Sequence, residues 1–290
     1  MHVVTRPPEP FFAMDGRLKV QCIPAATDNL VWLLMCVETG ESALVDGPSY
    51  AEVEAVVQAW ERRPRTIFNT HTHPDHVGVN RDLESRGELA SWRVVGPAER
   101  AQDVPGLTVG VAHGDTVTLG KLEGRVLDAA GHLDGHIAFL FGDVLFCGDA
   151  LFTGGCGYLF DGPPEAMFRT LCRFAQLDGE TKVCCGHEYT QDSLRFAWCV
   201  EPDNEALAAR IRDVWARRGR GESVVPSTIE EERATNPFLR PGSPSLIQRL
   251  TEARPEEDLS SPLAVFTAAR TYKNSGPQKA LAESDLPLDQ

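Results

Sequence analysis

The sequence lacks what a disulfide framework, a membrane span or a polyanion-binding surface would require. Its eight cysteines, at positions 22, 36, 147, 156, 172, 184, 185 and 199, include no C-x-x-C pair, and most sit in apolar runs such as "VLFCGD" and "TKVCCGH". A chain of 290 residues can bury enough core to hold together without staples, so these cysteines read as reduced, buried thiols rather than zinc ligands. The longest apolar run, Leu30 to Val37, falls far short of the ~20 residues that span a bilayer. The opening "MHVVTRPPEPFFAMDG" places prolines and charges where a secretory signal needs an apolar stretch of ~7–15 residues. The expectation is a soluble, cytoplasmic protein without a membrane partner. Positive charge is scarce as well: 28 Lys and Arg against 42 Asp and Glu give a formal net charge of −14 and a pI near 5.0. Such a field repels nucleic acid. An anionic small molecule would need a local positive patch or a metal.

What is present is an ordinary globular composition, 42% hydrophobic and 24% charged, long enough for one large domain or two unequal ones. "RLKVQCIP", "NLVWLLMCV", "SALVD" and "RTIFNT" read as strands, with a helix over "SYAEVEAVVQAWERR" that puts Val53, Val56, Val57 and Trp60 on one face. A second strand series follows in "HGDTVTLG", "EGRVLDAA", "HIAFLFG" and "DVLFCGD". Then come a helix with prolines in its first turn, "PPEAMFRTLCRFAQL", and the strand "TKVCC". Two β-rich layers with helices outside fit this order better than a doubly wound sheet. After about residue 190 the pattern turns helical: Leu207, Ile211, Val214 and Trp215 follow helical spacing, and "SSPLAVFTAARTYKN" opens on a Ser cap with Pro at the first helical position.

Only eight histidines occur in the chain, and three of them fall within "HTHPDH", residues 71 to 76. His71, His73, Asp75 and His76 follow a strand in a turn that Pro74 keeps out of helical geometry. Residues 71 and 73 can point one way while Asp75 and His76 serve a neighbouring position, so one turn can feed two adjacent metals; a single tetrahedral zinc would leave a ligand unused. Further ligands stand at other strand ends: His132 and His136 in "AAGHLDGH", Asp149 in "FCGDALF" and His187 in "CCGHEYT". Each follows an apolar run beside a glycine, which lets the backbone turn sharply. Near the end of the chain, Arg270 and Lys273 are three apart on a predicted helix, share a face and could grip a carboxylate.

The segments "THTHPDH", "GH" at 131 to 132, "GDALFTGGCG" and "GHEYT", with "DNLVWLL" near the start and "ATNPFLR" in the helical part, resemble the metallo-β-lactamase fold and, in their order, the glyoxalase II family of hydroxyacylglutathione hydrolases. The resemblance implies an α+β fold: an αββα sandwich over residues 18–189, after an N-terminal extension of residues 1–17, followed by a helical substrate-binding domain over 190–290. It implies that His71, His73 and His132 hold one metal, that Asp75, His76 and His187 hold a second, and that Asp149 bridges them, with Asp75 and Asp149 the catalytic carboxylates. Two divalent ions are expected, zinc first, with iron or manganese also accepted by these ligands. His136 is expected to pack behind the ligands, His2 and His113 to be ordinary, and Cys156 to be a small packing residue rather than a nucleophile.

The reaction implied is hydrolysis of S-D-lactoylglutathione to D-lactate and glutathione by a hydroxide held between the metals, acting in a monomer on a small-molecule thioester. Arg270, Lys273 and Tyr189 match glutathione contacts of the family. Tyr158 stands where the family usually has a basic residue, Phe160 preserves an aromatic position, and "AAGH" replaces the usual "TPGH" before His132. Another thioester is therefore one alternative. A persulfide dioxygenase of the same fold with a single iron is another, although the full ligand set argues against it. A non-catalytic binding protein and a nucleic-acid-processing relative are opposed by the ligand set and the charge.

Overall fold

The apolar run at 30–36 is long because both faces of its strand are covered. In β3 (Asn29–Cys36), Leu30, Trp32, Leu34 and Cys36 face the space between two sheets, while Val31 and Leu33 face a layer of helices. Burial on both sides is what a continuous apolar strand encodes. The computed structural model describes residues 2–60 and 63–288, and among them the first sheet runs in chain order. β1 (Phe11–Ala13), β2 (Leu18–Ala25), β3 and β4 (Ser42–Val45) pair antiparallel; β5 (Thr66–Phe68), β6 (Arg93–Pro97) and β7 (Val109–Val111) continue it in parallel. Outside lie α1 (Tyr50–Ala59) and α2 (Gly78–Ser85), whose Val53, Val57, Val79 and Leu83 pack on Val31, Leu33 and Leu44. Val56 and Trp60 pack half-buried on the same cluster; the strand-like backbone of Trp60 ends the helix, and Glu61 and Arg62 of the expected helix lie outside the described residues.

The second sheet contains β8 (Thr116–Leu119), β9 (Leu122–Asp128), β10 (Ile137–Phe141) and β11 (Val144–Gly148). A short hairpin follows, β12 (Leu151–Phe152) and β13 (Gly155–Cys156), then β14 (Lys182–Cys185), which pairs parallel with β11. Phe139, Phe141 and Phe146 meet Phe68 and Trp32 between the sheets. These rings bury the largest areas in the core and fix the spacing of the sandwich.

Helices α3 (Pro164–Phe174), α4 (Thr190–Val200) and α5 (Glu205–Gly219) follow, then β15 (Ser227–Thr228), α6 (Ile229–Thr235), α7 (Pro244–Ala253) and α8 (Pro262–Ser275). α8 starts as its sequence dictates: Ser261 accepts from the Ala264 N–H, Pro262 is at the first turn, and Gly276 ends the helix with φ 80°. This is an α+β sandwich with a helical C-terminal region. Two pairings cross the boundaries expected at 17 and 189. β1 adds to β2, and β15 pairs with β14 through Lys182–Thr228 and Val183–Ser227. The sheet-to-helix core is continuous too, since Phe196, Phe238 and Phe266 belong to the cluster that fills the sandwich.

Candidate metal centre

The 71–76 segment leaves β5 and closes as a turn: the His76 N–H donates to the His73 carbonyl (2.9 Å), with Pro74 at the second position of the turn. The fold brings the far histidines to this turn because His132, Asp149 and His187 all follow C-terminal ends of strands in the second sheet. Potential metal ligands fall into three groups whose donor atoms lie within 4.8 Å of one another: His71, His73, His132 and Asp149 in one, Asp75, His76 and His187 in a second, and Asp46 with His71 and His76, which overlaps the other two. Asp149 touches both sides, with Oδ1 3.4 Å from His76 Nε2 and Oδ2 3.5 Å from His132 Nε2 and 3.4 Å from His187 Nε2.

The outer nitrogens decide the tautomers. Nδ1 of His76 faces Asp46 Oδ2 (3.0 Å), Nδ1 of His187 faces Asp28 Oδ1 (2.8 Å), and Nδ1 of His132 faces the Tyr158 carbonyl (2.8 Å). Nδ1 of His71 faces Thr70 Oγ1 (3.0 Å), whose own proton goes to Asp46 (2.6 Å). Each acceptor draws the ring proton outward and leaves the Nε2 lone pair inward. Inside, those atoms crowd: His71 Nε2 to His73 Nδ1 is 3.2 Å, His132 Nε2 to His73 Nδ1 3.0 Å, and His76 Nε2 to His187 Nε2 3.2 Å. Asp149 Oδ1 is buried without a hydrogen-bond partner. Converging lone pairs and an orphaned carboxylate oxygen are a donor set for divalent cations, and the residues fit.

Electrostatics agree. Burial lowers the pKa of His71 and His132, keeping them neutral ligands. Burial would also lower His76, but Asp149 and Asp46 overcome it and raise the ring to about 10; Asp149 is held well below the usual range because His76 and His187 outweigh its burial. The site wants positive charge between its carboxylates, as a proton or as a metal. Glycine keeps the space open, since a Cβ on Gly186 would come within 2.5 Å of Asp149 Oδ1 and 2.7 Å of His76 Cε1.

Above the ligands is a cavity of about 300 Å³ walled by Phe152, Tyr158, Phe160 and Tyr189. Phe152, Tyr158 and Tyr189 also wall a neighbouring cavity of about 340 Å³ that contains Arg270, Lys273, Asp192 and Ser193. Arg270 is buried against Phe238 and donates to the Cys156 carbonyl (3.0 Å) and Asn274 (2.6 Å), with its Nε unpartnered. Lys273 donates to Ser193 (3.2 Å) and lies 3.6 Å from Asp192. Burial and the Arg270 charge bring its pKa down to about 8.

Comparison with known proteins now adds a decisive observation. Residues 32–187 match the metallo-beta-lactamase superfamily, and residues 188–276 match the hydroxyacylglutathione hydrolase C-terminus. A hydroxyacylglutathione hydrolase of Methylococcus capsulatus is 45% identical over 80% of this chain and 91% of its own, and one of Alkalilimnicola ehrlichii 42% identical over 88% and 98%. The chain belongs to the hydroxyacylglutathione hydrolase family. In fold, this family member is also similar to the ETHE1 crystal structure from Myxococcus xanthus, with a TM-score of 0.56 at 23% identity over 92% of this chain and 98% of that one.

Two sets of residues are placed apart from the ligands. His136 is outside all three groups: its ring stacks on His71 (4.6 Å between centroids) and its Nε2 accepts the Asp149 N–H (3.2 Å). His113 accepts from the Asp128 N–H (3.3 Å), whereas His2 donates to the Asn29 carbonyl close to the centre. Sequence reasoning missed Asp28, Asn29, Asp46 and Thr70. Asp46 carried a usable signal, because it ends the apolar strand "SALVD" next to Gly47 just as the ligands end theirs. Asp28 and Thr70 open the segments "DNLVWLL" and "THTHPDH", but neither type nor spacing pointed to their orienting role, which depends on distant contacts.

Proposed function

We propose that this chain is a binuclear-metal thioester hydrolase cleaving S-D-lactoylglutathione to D-lactate and glutathione. The observation that carries this reading is a pair of donor groups meeting at Asp149, open to a cavity that adjoins the buried Arg270 and the partly buried Lys273. In this reading His71, His73 and His132 would hold one ion and Asp75, His76 and His187 the other, with Asp149 within reach of both sets. Zinc suits the donors best, and iron or manganese are accepted by the same set. Two such ions lower the pKa of water from 15.7 toward ~7 and polarise a carbonyl, which supplies nucleophile and electrophile at neutral pH.

The remaining work falls to the chain's own side chains. Arg270 and Lys273 take the carboxylate of the thiol portion, and that portion runs along Phe152, Tyr158 and Tyr189, the walls common to both cavities. Tyr189 lies flat on His187 (4.8 Å), so the substrate's path is fixed relative to a ligand. Asp75, more exposed than Asp149 and kept ionised because His187, His76 and Asn29 outweigh its burial, would orient the nucleophile by accepting its hydrogen bond. The departing thiolate would take its proton from solvent and needs little help because its conjugate acid has a pKa of ~8.5. The division at residues 17 and 189 is retained as a functional one, with metals held by 18–189 and the carboxylate by 190–290.

Eight unpaired cysteines support a cytoplasmic location, and the acting unit is taken as a monomer. No helix among the described residues is long and apolar enough to cross a membrane. The deciding experiment is hydrolysis of S-D-lactoylglutathione by the metal-analysed protein beside His71→Ala. Two metal equivalents and a rate that the variant lacks support the reading. Two equivalents without hydrolysis shift it to another thioester, and a single iron with oxygen uptake on a persulfide replaces it with the dioxygenase.

A further inference from the structure

The carbonyls of three successive residues, Thr27 and Asp28 in the turn between β2 and β3 and Asn29 at the start of β3, are all occupied. Thr27 O accepts from the Val3 N–H (3.0 Å), Asp28 O from the Glu188 N–H (2.8 Å), and Asn29 O from His2 Nε2 (3.0 Å). Two of the three donors thus come from the N-terminal segment. The turn needs holding, because Ala26 sits at φ 51°, a conformation that a residue with a Cβ rarely adopts.

The side chains of the same turn reach the metal centre. Asp28 accepts from His187 Nδ1 (2.8 Å), and Asn29 Nδ2 donates to Asp75 Oδ2 (3.0 Å). Two of the three residues in the Asp75–His76–His187 group are therefore oriented from this turn. His76 is oriented from Asp46, while His71 and His132 are oriented by Thr70 and the Tyr158 carbonyl. No contact of these two passes through the turn.

The segment is anchored at its other end. The Thr5 and Arg6 N–H groups both donate to Gly221 O (3.0 and 2.8 Å), Arg218 donates to the Val3 carbonyl, and the Val4 side chain is buried. Its geometry is set internally as well, since the Val4 N–H donates to His2 Nδ1 (2.8 Å), which leaves Nε2–H for Asn29. A short strap thus runs from the end of α5 to the turn that carries Asp28 and Asn29.

We propose that residues 2–6 are a clasp that sets the metal affinity of the Asp75–His76–His187 half of the centre and makes no direct contact with the half formed by His71, His73 and His132. His2 is a positioning residue in this scheme. The inference rests on the two-metal reading above. Partners one bond removed from a ligand change metal affinity by ~10–100-fold. His2 acts one step further out, so the lower end of that range is expected for its loss.

The test is chelator competition on the full-length zinc-loaded protein, counting equivalents, for the parent, His2→Ala, His2→Gln and a deletion of residues 2–6. Hydrogen exchange over residues 26–30 is followed alongside. Expected are one equivalent released on the order of tenfold more readily in His2→Ala, a second equivalent unchanged, faster exchange in the turn, and recovery in His2→Gln, which keeps a side-chain donor. The clasp is refuted if both equivalents weaken together or neither changes; His2→Ala decides the matter if the deletion fails to fold. A parent that holds fewer than two equivalents refutes the two-metal reading instead.

Discussion

Replacing Lys273 by Met separates binding from chemistry and function from stability in one variant. The Lys273 side chain is 10% exposed, and its pKa is brought down to about 8 by burial and the Arg270 charge. A hydrogen bond to a charged group contributes about 1.5–3 kcal/mol, so Lys273→Met should raise KM for a carboxylate-bearing thioester roughly 10–100-fold at pH 7. Because the contact is remote from the reacting carbonyl, kcat should change little. In the parent, kcat/KM should fall about tenfold per pH unit above pH 8, as the free protein loses the ammonium, while in Lys273→Met that limb disappears. Stability moves the other way. A Lys whose folded pKa lies below its unfolded value near 10.5 destabilises the fold while protonated; the penalty is full below pH 8 and gone by about 10.5. At pH 7 the variant should therefore unfold later, by up to about 3 kcal/mol. Steady-state kinetics from pH 6.5 to 9.5 and denaturant midpoints at pH 7 check both halves. A parent profile flat across pH 8, or an alkaline limb that persists in the variant, would refute the role of Lys273 in binding.

Asp46→Ala leaves the Thr70 N–H, the Thr70 hydroxyl and His76 Nδ1–H without their acceptor; stability should fall by roughly 3–5 kcal/mol and metal affinity by ~10–100-fold, with Asp46→Asn recovering part, as read by denaturant midpoint and metal content. Gly186→Ala places a methyl 2.5 Å from Asp149 Oδ1, so metal content should fall while the circular dichroism spectrum is kept; full metal content would show that the centre yields. Tyr158→Lys adds a cation to the wall between the two cavities and should lower KM for the glutathione thioester by up to about fivefold, the worth of an exposed charge contact near 1 kcal/mol; the gain should vanish in high salt.

The parts of the fold legible in the sequence are those whose signal is local. β3 reads as a strand because seven consecutive apolar side chains at 30–36 need two buried faces, and α8 declares its start through Ser261 and Pro262. α2 was not legible: Asn80, Arg81 and Asp82 dilute its apolar pattern, and its polar residues are consumed by contacts far away in the chain, Asn80 with Asn69 and the Pro105 carbonyl, Asp82 with Ser49 and Tyr50. β15 is two residues long and exists only because β14 offers an edge. The same division holds at the centre. Candidate ligands stand out by type, by their clustering at 71–76 and, for His132, Asp149 and His187, by a preceding glycine, whereas the acceptors that orient them are backbone carbonyls and common turn residues that only the folded chain brings into register.

One consequence of the fold is that a single hairpin carries part of the wall shared by the two cavities. β12–β13 supplies Phe152 to both cavities and Cys156 to the one with Arg270 and Lys273. The hairpin is gripped from the helical region. Buried Glu232 accepts from the Gly154 N–H (2.8 Å), Asn236 donates to the Gly155 carbonyl (3.0 Å) and to Glu232 (2.9 Å), and Arg210 pairs with Glu232 at 2.5 Å. Arg270 then donates to the Cys156 carbonyl from the other side. A buried carboxylate is tolerated only with such a full set of partners. Hence α5, α6 and α8, which carry none of the candidate metal ligands, hold in place the hairpin that walls both cavities.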